Sequence, residues 1–235
     1  MRRSTLIVFS LLLAVAAAVL VAGVWYRGRP RLPWAAEIVR LGGEARWSTN
    51  GGSEWFLAGT GARLPEGVII QTRQGAENLV DLRLGDAAAD AGHEVIRLHG
   101  DTAVAIETRR SHAVKDGRLT STSLDLRHGH LSGRGTRLAI GSRFEVRYQG
   151  GVVALRPPDF FFDLRRANPL TGGGTNPPCE LRLLSGSAVV LVQSSGQPVI
   201  AMVPAGSRFE DRTGAAAPLT EADRQELGKT AAAVP

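Results

Sequence analysis

The chain has 235 residues, a formal net charge of +6 and 43% hydrophobic residues, enough to bury the core of one domain without covalent staples. Its single cysteine, Cys179, excludes an internal disulfide. The positive charge does not mark a nucleic-acid binder: Arg2, Arg3, Arg27, Arg29 and Arg31 flank an apolar N-terminal run, and the rest of the chain holds 23 basic against 22 acidic residues.

Residues 1–3 read as a short cytoplasmic tail. Residues 4–26 carry no charge, and as a helix they would span about 34 Å, enough to cross a bilayer core. Trp25 and Tyr26 stand at the far end, where aromatic side chains favour the water interface. A cleaved leader is the competing reading, but its apolar core is shorter. The expectation is a single-pass inner-membrane anchor that places the C-terminal body in the periplasm. Residues 27–35, with Pro30 and Pro33, read as a stiff extended linker.

From residue 36 the pattern is all-β, with short strands between turns. Val80, Leu82 and Leu84 alternate with Asp81 and Arg83, and Phe144, Val146 and Tyr148 alternate with Glu145 and Arg147. Period two predicts one buried face and one wet face. Val189–Val192 and Val199–Val203 are apolar on both faces, which predicts central strands. Asn50-Gly51-Gly52, Gly150-Gly151 and Ser185-Gly186 punctuate the runs as turns. The strands stack either as a solenoid or as a sandwich. Two segments, 85–92 and 167–178, read as loop insertions. Residues 214–235 read as a C-terminal tail whose helix runs over Glu221–Leu227 with Thr220 as N-cap, between flanks that fray.

His128 and His130 share a face if the strand is regular, and His93 or His99 would have to complete a metal site. Five histidines reach such spacing by chance, so no metal, cofactor or catalytic residue is assigned. Asp159 and Asp163 would lie about 13 Å apart on a strand, too far for a paired-carboxylate glycosidase. No nucleophile elbow or phosphate loop occurs in the sequence, and the chain is read as a binding protein rather than an enzyme. Trp47 and Trp55 fit either core packing or stacking on a sugar ring. Phe160, Phe161 and Phe162 are consecutive, so Phe161 points opposite to its neighbours, into the core or into a patch that wants a partner.

Trp55, Gly61, Leu64, Gly67, Ile70 and Thr72, followed by the alternating strand at Val80–Leu84, resemble the opening of the FecR-like domain. Leu124 and Leu126 before Gly129, Phe144-Glu145-Val146 before Gly151–Arg156, then Asp159-Phe160 and Ala205-Gly206, resemble its later blocks in order. The resemblance covers residues 36–213. It implies an envelope sensor or scaffold that binds a protein partner outside the cytoplasm, here without the cytoplasmic anti-sigma half. Arg156, Asp159, Phe161 and Trp47 are the candidate partner-binding residues, and a cell-wall polysaccharide is the alternative ligand. One departure stands out: Pro157-Pro158 occupies the place where the family carries glycine and threonine, which changes the local backbone.

Overall fold

The structure is a computed structural model that describes residues 34–49, 51–85, 93–114, 117–169, 178–193 and 197–235. The anchor and most of the linker lie outside the described residues, as do most of the two insertions. Among the described residues no helix is long and apolar enough to cross a membrane. Trp34–Pro235 forms one compact unit.

The chain builds strands β1 (Ala36–Gly42), β2 (Ala45–Ser48), β3 (Phe56–Leu57), β4 (Arg63–Leu64), β5 (Ile69–Thr72), β6 (Leu79–Leu84), β7 (His93–Leu98), β8 (Ala103–Val114), β9 (Gly117–Thr136), β10 (Arg143–Tyr148), β11 (Gly151–Arg166), β12 (Cys179–Val192), β13 (Val199–Pro204), β14 (Ser207–Glu210) and β15 (Ala215–Pro218). One helix, α1 (Glu221–Ala233), follows. All strands join one hydrogen-bonded sheet. Its plan is simpler than its strand count, because the pairings resolve into bent rungs: β1–β2, β5–β6, β7–β8, β9, β11, β12 and β13–β14. Each rung runs antiparallel to the next.

Each rung has one limb in each of two layers. Layer A follows the order β13-β12-β11-β10-β9-β8-β5-β2-β3, and layer B follows β15-β14-β12-β11-β9-β7-β6-β1-β4. β10 is wedged into layer A parallel to β9. The long strands β9, β11 and β12 pass from one layer to the other. Their bends fall at Gly129, at the Pro157-Pro158 pair, whose peptide bond is cis, and at Gly186. Glycine is required at two of these bends: Gly129 and Gly186 have positive φ, and a Cβ on Gly129 would sit 2.4 Å from the Thr102 Cα.

Between the layers lies a single core. Ile70, Val104, Ile106, Leu124, Phe144 and Val190 from layer A meet Leu82, Ile96, Leu98, Leu131, Phe162 and Leu181 from layer B. Phe144, Phe160 and Phe162 pack as tilted rings with centroids 5.1–6.1 Å apart. Gly133 and Gly135 leave room for them: a Cβ there would meet the rings of Phe162 and Phe160 at 2.6 Å. The strands therefore stack as rungs folded about one core, which combines the two expected arrangements.

Three expectations need correction. Val199–Val203 is not central: among the described residues β13 pairs with β12 alone and ends layer A, with Val199, Ile200 and Met202 exposed. An apolar run on both faces marks burial only when both faces are covered. The flanks of the C-terminal helix are ordered: Ala215–Pro218 pairs with β14, and α1 continues through Ala233. Thr220 caps α1 as expected, in a reciprocal arrangement with Asp223. Finally, of the two β6 residues expected to meet water, Arg83 is half-exposed and pairs with Glu37 at 3.2 Å, but Asp81 is buried with Arg97, which reaches the end of α1.

The bend at Gly129 gives a test. Gly129→Ala combines a disfavoured backbone with a backbone clash and is expected to cost about 3 kcal/mol or more in urea unfolding. Gly61→Ala also has positive φ but nothing within 4 Å, so it is expected to cost about 1 kcal/mol. Equal costs would contradict a sterically required bend at Gly129.

Candidate functional site

The outer face of layer B carries a row of directly opposed residues. Register places Asp81 opposite Arg97, Arg97 opposite Ser132, Ser132 opposite Asp163, and Asp163 opposite Arg182. Period-two geometry puts all five side chains on one face. All five are buried. Charges in such a place are tolerated only when paired and hydrogen-bonded.

Arg97 grips Asp81 with both arms of its guanidinium, Nε to Oδ1 at 2.6 Å and Nη2 to Oδ2 at 2.7 Å. Its Nη2 also donates to the carbonyl oxygen of Ala233 at 2.6 Å. That carbonyl lies at the C-terminal, negative end of α1, and α1 has no basic residue in its own last turn. Asp163 is the other anchor. Its Oδ1 accepts from Arg165 Nε (3.0 Å) and from Arg182 Nε (3.2 Å) and Nη2 (2.9 Å). Its Oδ2 accepts from His130 Nε2 (2.5 Å) and Ser132 Oγ (3.2 Å). Arg165 and Arg182 then reach out to Glu226 on α1, at 2.7 and 2.9 Å. The helix is therefore tied at its middle, through Glu226, and at its C-terminal end, through Ala233, to charges that belong to the sheet. Leu227, one residue after the first tie, and Val234, one residue after the second, pack with Val95, Phe161 and Leu219 in a second apolar cluster.

The titration behaviour follows from this wiring. Burial pushes the Asp163 carboxyl up, but the hydrogen bond from His130 and the charges of Arg165 and Arg182 outweigh it and leave Asp163 well below the usual carboxylate range. Hydrogen bonds from Arg182 and Arg165 bring Glu226 down to about 2. Burial, then the neighbouring His130, lowers His99 to about 3, so that ring is neutral at pH 7. His99 Nε2 lies 2.9 Å from Ser132 Oγ and its ring stacks on His130 at 3.7 Å. With the Ser132 proton directed at Asp163, His99 donates to Ser132. Serine, two histidines and an aspartate lie together, yet the donors all run toward Asp163. A histidine held near 3 is a poor base at neutral pH, and Ser132 is fully buried. The cluster orients Asp163.

The histidine pair does not form the shared face considered from the sequence. Gly129, with φ of 102°, separates the two limbs of β9. His128 stands opposite Ala103 in layer A, while His130 stands opposite Arg165 in layer B. His93, at the far end of β7, lies beside Thr136. Among the described residues no three His, Cys, Asp or Glu side chains gather as a metal site. Burial raises the Cys179 thiol well above its usual value, which leaves it protonated inside the core.

The four candidate partner-binding residues are not brought together. Phe161 is 4% exposed and covered by α1, so its patch reading gives way to packing. Arg156 and Asp159 are exposed beside the bend of β11, where Asp159 Oδ1 accepts from the Arg137 amide at 2.8 Å. Trp47 lies on β2, five strands away in layer A, or about 24 Å at ordinary strand spacing. It is half-buried against the main core, with its ring 4.9 Å from that of Phe56.

Around Trp47 a second surface does assemble, at the β2–β3 edge of layer A. Leu57 is 87% exposed and Phe56 42%. Arg46 lies over the Trp55 ring at 4.5 Å and donates to Gln71 Oε1. Beside them is a groove of about 380 Å³, lined among others by Arg46, Leu57, Gln71, Arg73 and Asp101. Exposed aromatic side chains next to arginine are typical of protein-binding surfaces, and Leu57 extends the apolar area beside them. Sequence reasoning found Trp47 but missed Leu57, because a two-residue strand leaves no alternation to read.

The residues that carried the family resemblance have structural work. Leu64 and Ile70 are core, Gly61 and Gly67 turn with positive φ, and the Thr72 hydroxyl donates to the carbonyl of His99 at 2.5 Å. No family model matches the chain, and comparison with curated proteins finds no match. Among solved structures the chain is similar to two crystal structures of a putative anti-sigma factor from Parabacteroides distasonis ATCC 8503. The first is 11% identical with a TM-score of 0.42, over 69% of this chain and 64% of that one. The second is 10% identical with a TM-score of 0.32, over 67% of this chain and 59% of that one. The chain thus spans less than two thirds of the length of either.

Two predictions follow from the charge row. His99, Glu226 and Asp163 all have folded values below their unfolded ones. The unfolded chain therefore binds protons first, and stability is lost as pH falls, starting near 6.5 for His99 and near 4.5 for the carboxylates. His99 alone is expected to weaken urea unfolding by about 1 kcal/mol per pH unit between pH 6 and 4, and the carboxylates add to the loss at the lower end. His99→Phe is expected to flatten that slope, and an unchanged slope would contradict the assignment. Asp163→Ala leaves His130, Ser132 and the inner side of Arg182 without their buried acceptor, although Arg182 keeps Glu226, and is expected to cost about 3 kcal/mol at pH 7; a cost below about 1 kcal/mol would mean the row is solvated.

Proposed function

We propose that the chain is a non-catalytic, membrane-anchored envelope module of the FecR-like type that holds a protein partner outside the cytoplasm. The order of sequence blocks and the uncharged run at residues 4–26 support the setting, with the body in the periplasm and the inner membrane as its tether. The observation that carries the binding reading is the β2–β3 edge, where Leu57 and Phe56 are exposed beside Arg46 and an open groove. A soluble surface rarely leaves such side chains together without use. In this reading Trp47 acts as the support beneath Phe56 rather than as a contact residue, and the exposed pair Arg156 and Asp159 belongs to a separate surface.

A second reading, binding of cell-wall or exopolysaccharide, rests on the same aromatic pair, because an exposed Phe56 ring backed by Trp47 could stack on a sugar. The two readings separate on charge. Leu57→Arg keeps the aromatic pair but places a cation in an apolar contact. Capture of an envelope protein from solubilised membranes by the full chain is expected to fall at least about tenfold in Leu57→Arg, as for a hot-spot residue. Co-sedimentation with purified peptidoglycan is expected to be negligible for both chains. Undiminished capture by the variant would contradict the protein reading. Sedimentation that is lost only in Phe56→Ala would favour the polysaccharide.

A further inference from the structure

The opposite end of layer A carries an edge of a different kind. β13 pairs with β12 along its whole length, and among the described residues no strand pairs with its other side. Ile200 is 69% exposed and Met202 64%. No charged residue occurs between Leu191 and Ser207 in a chain that is 21% charged overall. Natural sheets guard a free edge with lysine, proline, inward charge or a bulge. β13 has no such charge, and its register with β12 runs unbroken from Val199 to Pro204. Pro198 and Pro204 bracket the strand, so any pairing is confined to the residues between them.

We propose that β13 is a dimer seam: two copies of the chain pair their β13 strands antiparallel, about a two-fold axis at Ala201, and continue layer A from one copy into the other. Charge selects the occupant. A strand with ionised side chains would bury them against Ile200 and Met202 at a desolvation cost. Among the described residues β13 is the uncharged strand of six residues; the other apolar edges are shorter, β15 with four residues and β3 with two beside Glu54. The strand is also complementary to itself. An axis at Ala201 sets Ile200 opposite Met202 of the second copy, twice, on the face where both are exposed, and sets Val199 opposite Val203 on the other. Such an interface is isologous and closes at two copies. A single strand pair is smaller than a standard interface of about 1,600 Å², so the dimer is weak and its formation depends on concentration. The seam is independent of the partner reading at β2–β3, which lies at the other end of layer A.

Sedimentation equilibrium of the full chain in a mild, density-matched detergent tests it. The wild-type chain is expected to shift from monomer to dimer with rising concentration and to stop there. Ile200→Lys with Met202→Lys places like charges opposite each other across the seam, and is expected to weaken the dimer at least about tenfold. Ile200→Lys with Met202→Glu has the same number of charges but pairs opposite signs, and is expected to restore most of the association. Both variants change exposed side chains, and an unchanged circular dichroism spectrum verifies their fold. A wild-type chain that stays monomeric, a mass that grows past two copies, or two double variants that behave alike would each overturn the seam.

Discussion

The arrangement depends on a carboxylate that no water reaches. Asp163 accepts from a serine, a histidine and two arginines, drawn from β9, β11 and β12. An ionised group in that position is costly unless its acceptor sites are filled. Filling them fixes the register of three strands at once, because a one-residue slip would turn every donor to the other face. Arg182 and Arg165 then carry the surplus positive charge outward to Glu226, and at the other end of the row Arg97 does the same for the carbonyl of Ala233. The helix is thus held by the sheet's own requirement for charge balance.

This gives the two layers different characters. Layer B is closed on its outer face by α1 and its charges are internal. Among the described residues layer A has no such cover, and its ends carry apolar residues in the open, at β3 and at β13. The same bent rungs serve both, so the fold separates a covered face from one whose ends are open. Binding surfaces on rigid strands are better positioned than those on loops, and both exposed edges belong to strands.

Much of this was legible in the residues. Alternation at Val80–Leu84 and Phe144–Tyr148 located strands and named their core faces, and the Thr220 cap located the start of the helix. What alternation could not convey was the fate of the other face. Asp81 and Arg97 look like solvated positions until the pairing of β6 with β7 sets them opposite each other and a distant helix covers them. A signal was present in Leu227, Ala231 and Val234, whose spacing of four and three residues is the stripe of a docked helix. The histidine pair misled for a related reason: period two assumes a regular strand, and Gly129 breaks it. Leu57 on its two-residue strand carried no pattern, and β13 carried the pattern of a central strand because apolar residues on both faces describe a surface to be covered without saying by what.

The central claim is that α1 is an integral layer of the domain, held over a buried row of charge. Hydrogen–deuterium exchange on the full chain at pH 7 measures this most directly. The amides of Arg224–Thr230 should be protected to a degree comparable with those of β11 and β12, as expected for one cooperative unit. If they exchange at the rate of a free peptide while the sheet stays protected, the helix is an appendage and the charge row has another role.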